Sequence, residues 1–204
     1  FGLGVADAAE QQAFNVERAQ RAKIFDEALT VMRKCWTEES VDFDGAHFHL
    51  QGLRVEPKPV QNPPDVWLGG IAPSELKRVA RMSDGWLPSF VMPDDAAAGW
   101  ATINQHAAEL GREIEDEHFG VLIPYRFGDL PPALVAGLAA RRPDLADPTI
   151  LIPNGWDALV EHIKNFIAVG ASKFVVLPLV EPATPDAWIS HLDEASRILL
   201  PMQN

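Results

Sequence analysis

Apolar positions in this chain fall into two alternating patterns: short unbroken runs, and longer stretches in which they recur every three or four residues. The first pattern suits strands buried on both faces and the second suits amphipathic helices. Phe1 to Ala6 is a short apolar run with glycines. From Val16 to Trp36 the residues Val16, Ala19, Ala22, Phe25, Ala28, Leu29, Met32 and Cys35 share one side, which predicts a helix. VDFDGAHFHL then predicts a hairpin turning at Asp44-Gly45, and EPKPVQNPP follows it, so residues 40–62 are expected to leave the main sheet. Beyond them the alternation resumes with a strand at 65–68, a helix at 73–82, a strand at 85–90, a helix at 94–110 and a strand at 118–127. Residues 128–152 are proline-rich and predict a second irregular excursion, either a lid or a surface loop, with a short helix at 132–141. Asn154 is expected to cap a helix running to Val169 and stopped by Gly170. A strand at 173–180 and a helix opened by Thr184-Pro185 complete the pattern.

Five apolar strands, each followed by a helix, imply parallel pairing with helices covering the sheet. The whole chain, residues 1–204, reads as one α/β domain interrupted by the two excursions. Both a doubly wound sheet and a TIM-type (β/α)8 barrel fit. The latter needs more units than are visible, so either the sheet is open or the chain is incomplete.

Composition changes this picture in a few places. At 47% apolar and 23% charged residues, 204 residues can bury a sizeable core. No apolar stretch reaches the roughly 18 residues of a membrane span, and no basic-then-apolar leader opens the chain. A net charge of −12 argues against nucleic acid and anionic membranes as partners. The lone cysteine, Cys35, excludes a disulfide framework and points to a reducing, cytoplasmic setting with the thiol buried.

Candidate chemistry concentrates in PPDVWLGGIAPSELKRVARMSDGW, residues 63–86. Gly69 and Gly70 let the backbone turn sharply at a strand end, and the helix after them would offer free N–H groups to a phosphate. The alternative is that the glycines serve the turn geometry alone. Arg126, closing a strand, suits an anionic group of a small-molecule substrate through its planar fork; a surface ion pair is the alternative. His47 and His49 alternate in the hairpin without further ligands nearby, so they read as pairing-strand residues and no metal is expected. The six tryptophans are scattered and read as packing residues, with Trp86 of the DGW sequence the one to follow.

GLGVA, FDEALTVMRKCW, VDFDGAHFHL, PKPVQNPP, VWLGG, RVARMSDGW and NGWDALVEHIKNFIAVGASKFVVLPL together resemble the bacterial luciferase-like monooxygenase family. The resemblance runs nearly end to end. It implies a TIM barrel and flavin- or deazaflavin-dependent oxidoreductase or monooxygenase chemistry, with FMN or coenzyme F420 as cofactor. It also implies that GLGVA is the fourth barrel strand, so three strands would precede Phe1. Gly69, Gly70, Ile71 and Ala72, with the hydroxyl of Ser74, are implied to grip the cofactor phosphate, and Ser89 to line the cofactor or substrate pocket. Asp7 sits where some deazaflavin-dependent relatives carry an active-site acid; a helix cap or loop acid is its alternative. Because the strands that contact the cofactor ring would be missing, a second reading stands beside the enzyme: a non-catalytic flavoprotein or structural partial barrel that self-associates. A homo-oligomer is expected on either reading, since exposed sheet edges need cover.

Overall fold

The computed structural model describes residues 2, 3, 12–14 and 16–203, and the chain divides into two compact units at Val66/Trp67. In the first unit a two-residue strand, β1 (Gly2–Leu3), is all that falls within the described part of the opening apolar run. Helix α1 spans Arg21–Thr37. It starts later than the periodicity predicts, because residues 18–20 form a turn closed by Gln20 N–H and Arg21 N–H on the Glu17 carbonyl. Cys35 is half-exposed rather than buried. β2 (Val41–Asp44) and β3 (His49–Leu53) form the expected antiparallel hairpin, with Phe43 opposite Leu50 and Asp44 opposite His49.

Two charged side chains of this unit bind backbone groups. Glu27 of α1 accepts from Ala46 N–H at 2.6 Å and His47 N–H at 2.7 Å, which pins the hairpin loop to the helix. Gly45 leaves room for that carboxylate: a Cβ there would lie 1.6 Å from Glu27 Oε1. Lys58, from the proline-rich stretch, donates to the carbonyls of Cys35 and Glu38 and so satisfies the C-terminal end of α1.

The second unit carries four parallel strands in chain order: β4 (Trp67–Leu68), β5 (Gly85–Trp86), β6 (Gly120–Tyr125) and β7 (Lys173–Pro178). Six consecutive pairs, Gly120 with Lys173 to Tyr125 with Pro178, join the last two strands. β5 and β6 meet through the bridges Trp86–Phe119 and Ser89–Leu122. Helices α2 (Pro73–Met82), α3 (Pro93–Glu109), α4 (Pro132–Arg141), α5 (Trp156–Ala168) and α6 (Pro185–Leu199) fill the intervals. The strand predicted over 85–90 ladders for two residues only, since Pro88 has no N–H to donate and Phe90 turns away at φ +56°. Asn154 is not the cap of α5. Gly155, at φ +85°, holds that position, and Asn154 Oδ1 instead accepts from Gly128 N–H at 3.0 Å.

Trp86 and Phe119, both fully buried, stack 5.6 Å apart, and Trp100 also stacks on Phe119, at 5.0 Å. Ser83 is the one buried polar side chain among the described residues. Its hydroxyl donates to the Gly85 carbonyl and accepts from Leu68 N–H and Gly85 N–H, tying β4 to β5. On the helix-facing side of β6, Tyr125 stacks on His191 of α6 and its hydroxyl meets Nε2 at 2.5 Å; burial pushes the phenol above its usual pKa. No helix of the described residues is long and apolar enough to cross a membrane.

The second excursion, residues 128–152, is a packed element and not an open loop. Leu138, Leu151 and Ile152 form a small core of their own, against which Phe90 and Leu179, from the segments after β5 and β7, are packed. Arg142 fastens it further: its guanidinium meets Asp144 at 2.7 Å, Asp95 at the start of α3 at 2.8 Å and the Phe90 carbonyl at 3.3 Å.

Candidate functional site

Because the four strands run parallel, their C-terminal ends lie along one edge, and the residues singled out in the sequence sit there. Gly69 and Gly70 follow β4, Ser89 follows β5 and Arg126 follows β6. Asp7 lies outside the described residues.

At the end of β4 the chain turns through Gly70 at φ +90°, a conformation that favours glycine. The Gly70 carbonyl accepts from Trp86 Nε1–H at 2.9 Å, so the core tryptophan reaches the turn through its polar tip. Two backbone donors follow. Ile71 N–H and Ala72 N–H both donate to a single carboxylate oxygen, Glu75 Oε2, at 3.0 and 2.9 Å. Glu75 is the third residue of α2, the spacing at which an acidic side chain reaches back over a helix start. Ser74 beside it is exposed. A phosphate approaching this turn therefore meets a glycine bend and a free hydroxyl, but the amides of Ile71 and Ala72 are taken.

At the end of β5, Pro88 is buried and donates nothing, while its carbonyl accepts from Leu122 N–H at 2.9 Å. Ser89 is exposed on this edge. Phe90 follows in the left-handed region, the one described non-glycine residue with positive φ. Such strain, of order 1–3 kcal/mol, persists only where surrounding contacts impose it. Here those contacts are the small core of the excursion and the Arg142 clamp on the Phe90 carbonyl.

Arg126 follows directly on β6 and is held through its backbone: its N–H donates to the Pro153 carbonyl and its carbonyl accepts from Gly155 N–H. Its guanidinium donates through Nη1 to the Gly128 carbonyl, and Nε is buried with no partner among the described residues. No carboxylate lies within ion-pair distance of it among those residues. Asp147 feels its charge from further off; that carboxyl is held below its usual range first by hydrogen bonds from Thr149, and only last by Arg126. Among the described residues Arg126 therefore makes no ion pair, and its buried Nε–H is left without a partner.

The histidines of the hairpin do not converge. His49 Nδ1 meets Asp44 Oδ1 at 2.6 Å, whereas His47 lies in the loop rather than in a strand and is held by its backbone N–H. Elsewhere Glu115, Glu117 and His118 bring ligand-type atoms within 4.8 Å of one another, at the end of β6 opposite the candidate site. His118 there already meets the Asp84 carbonyl at 2.7 Å, and Lys173 lies 3.7 Å from Glu117.

The luciferase-like monooxygenase family pattern matches residues 1–152. The chain belongs to that family. Among curated relatives of this luciferase-like chain, the phthiodiolone/phenolphthiodiolone dimycocerosates ketoreductase of Mycobacterium kansasii is 28% identical over 117 residues, covering 55% of this chain and 32% of the relative. The same-named enzyme of Mycobacterium tuberculosis is 25% identical over 117 residues, 55% of this chain and 31% of its own length. The match thus spans about a third of the length of these relatives. Among solved structures, monooxygenase RslO1 from Streptomyces bottropensis superposes with a TM-score of 0.73 at 18% identity, covering 98% of this chain and 68% of that one. The coenzyme F420-dependent tetrahydromethanopterin reductase from Methanopyrus kandleri gives 0.68 at 15% identity, covering 100% and 74%. The oxygenating constituent of 3,6-diketocamphane monooxygenase of Pseudomonas putida, solved with FMN, gives 0.68 at 15%, covering 100% and 71%. These likenesses establish the fold as that of the luciferase-like TIM barrels, of which this chain spans part.

The sequence reading missed Glu75, the strained Phe90 and the Arg142 clamp. Of these, Glu75 had a visible signal: an acid three residues after Ala72 has capping-box spacing. Phe90 and Arg142 had none, because their roles depend on segments that meet only in the folded chain.

Proposed function

We propose that this chain is part of a flavin- or deazaflavin-dependent oxidoreductase or monooxygenase, using FMN or coenzyme F420, and that it supplies the part of the site facing the cofactor's phosphate arm. The observation that carries this reading is the convergence of Gly69-Gly70, Ser89 and Arg126 on one sheet edge in a chain of the luciferase-like family. Neighbours of the same fold are named for F420 or were solved with FMN. In such cofactors the ring carries the redox chemistry and the arm carries the grip, so the share of these residues is binding and orientation. The exposed Ser74 hydroxyl suits an approaching phosphate, whereas the Ile71 and Ala72 amides do not offer themselves while Glu75 holds them. Ser89 would contact the cofactor or substrate, and Arg126, at the end of the neighbouring strand, an anionic group of a small-molecule substrate. Asp7 is the proposed acid for proton exchange.

Titration of the purified chain with FMN, with coenzyme F420 and with riboflavin, followed by fluorescence, tests the reading. Saturable binding of a phosphate-bearing cofactor is expected. Failure to bind either one removes the cofactor role from this chain.

One observation favours a second reading, a self-associating partial barrel. None of the fifteen residues of α6 is buried, and Ile189 and Leu192 are 59% and 57% exposed. On β7, Val175 and Leu177 are likewise 47% and 45% exposed. Apolar surface of this kind is usually covered in use. A concentration-dependent shift to dimer in sedimentation, lost with Leu192→Glu, would support it; a monomer at all concentrations would exclude it.

A further inference from the structure

The phosphate grip expected at the glycine turn does not match what the turn holds. We infer that Glu75 is the turn's own resident anion, and that it keeps phosphate off the Ile71 and Ala72 amides until it is displaced. This rests on the cofactor reading above for its functional meaning, but not for its geometry.

Both amide N–H groups aim at Glu75 Oε2, at 3.0 and 2.9 Å, so their donor capacity is spent on one negatively charged oxygen. The helix start favours that charge, and a dianionic phosphate seeking the same amides would meet a carboxylate at contact distance. Gly70 carries the argument further. A Cβ built on it would lie 2.5 Å from Glu75 Oε2, 2.6 Å from its Cδ and 2.9 Å from its Cβ. The empty side of this glycine is therefore filled by Glu75; what the glycine makes room for is a side chain of the same chain. Trp86 fixes the carbonyl of the same residue from the other direction, so the turn is held in the shape that receives the carboxylate. Ala72 has no hydroxyl with which to cap the helix, which leaves Glu75 as the side chain that satisfies its first amides.

Glu75 is thus a specificity-determining residue: it sets how strongly the turn competes for a phosphate. Glu75→Ala frees both amides, and Glu75→Gln keeps the hydrogen bonds while removing the charge. Fluorescence titrations should show Glu75→Ala binding FMN or coenzyme F420 about tenfold more tightly than the unaltered chain, roughly the worth of one charge-assisted hydrogen bond. Glu75→Gln should fall between them, and riboflavin, which has no phosphate, should be unaffected. Independently of any cofactor, inorganic phosphate should move the Ile71 and Ala72 amide resonances in Glu75→Ala and leave them in place in the unaltered chain. If phosphate moves those resonances equally in both chains, or in neither, the inference is overturned. If the unaltered chain binds FMN and Glu75→Ala binds it no more tightly, the inference again falls while the cofactor reading stands. If no variant binds FMN or F420 but phosphate moves the Glu75→Ala amides alone, the cofactor reading falls and the role of Glu75 stands.

Discussion

Replacing Trp86 by phenylalanine probes the link between the core and the glycine turn. The indole is fully buried, stacks on Phe119 and donates Nε1–H to the Gly70 carbonyl. Phenylalanine keeps the aromatic stack and loses the pyrrole edge. The lost transfer energy of those atoms is about 1 kcal/mol. The cavity they leave adds about 1 kcal/mol more where the surroundings cannot collapse, and here Gly99 of α3 is pressed against the same ring: a Cβ on it would lie 2.4 Å from Trp86 Cη2. The hydrogen bond contributes about 1 kcal/mol, no more, because Gly70 is only half-buried and water can replace part of it. The sum, about 3 kcal/mol, is a large part of a typical domain's stability and corresponds to a fall in melting temperature of roughly 6–12 °C. Urea unfolding followed by far-ultraviolet circular dichroism measures it, with hydrogen exchange at Ile71 and Ala72 reporting whether the turn loosens. A loss below about 1 kcal/mol with unchanged exchange would refute the claim that this tryptophan couples core and turn.

Three further outcomes are expected. Gly45→Ala should displace the Glu27 carboxylate from the Ala46 and His47 amides, costing about 1–3 kcal/mol and speeding exchange at those two positions. Arg142→Met should cost roughly 1–2 kcal/mol, discounted because Asp144 is largely open to water, and should make residues 128–152 more susceptible to proteolysis; unchanged resistance would mean that the Leu138 core alone holds the excursion. His162 is held below the usual imidazole pKa by burial, so the folded chain keeps it neutral while the unfolded chain takes up a proton near pH 6.5. Its contribution is therefore present above about pH 6.5 and lost as pH falls toward the lowered value. His162→Gln should flatten that part of a melting-temperature profile, and an unchanged slope would exclude the group.

The regular elements were legible because their signals are local. The helix at Pro73–Met82 and the one at Pro132–Arg141 match the predicted ranges, since proline at a first turn and apolar residues at helical spacing act within a few residues. Thr184 caps α6 as expected, its hydroxyl accepting from Ala187 N–H at 3.2 Å. Errors appeared where a local signal had a distant competitor. Asn154 has the right chemistry for a cap, yet Gly128 N–H, twenty-six residues away in sequence, claims its side chain. Val16 and Ala19 carry the helical period but precede the helix.

The alternation of buried strands and amphipathic helices, set by the sequence, determined a parallel α/β architecture and placed Gly69, Gly70, Ser89 and Arg126 at strand ends. Periodicity says which face of an element is buried, and that is enough to order strands and helices along the chain. It does not say which polar group satisfies which. Only the tertiary structure assigned the Ile71 and Ala72 amides to Glu75, the Gly70 carbonyl to Trp86, and the strain at Phe90 to the excursion packed against it. Hydrogen-bond partners depend on distances and angles of a few tenths of an ångström, fixed by the packing of residues far apart in the chain.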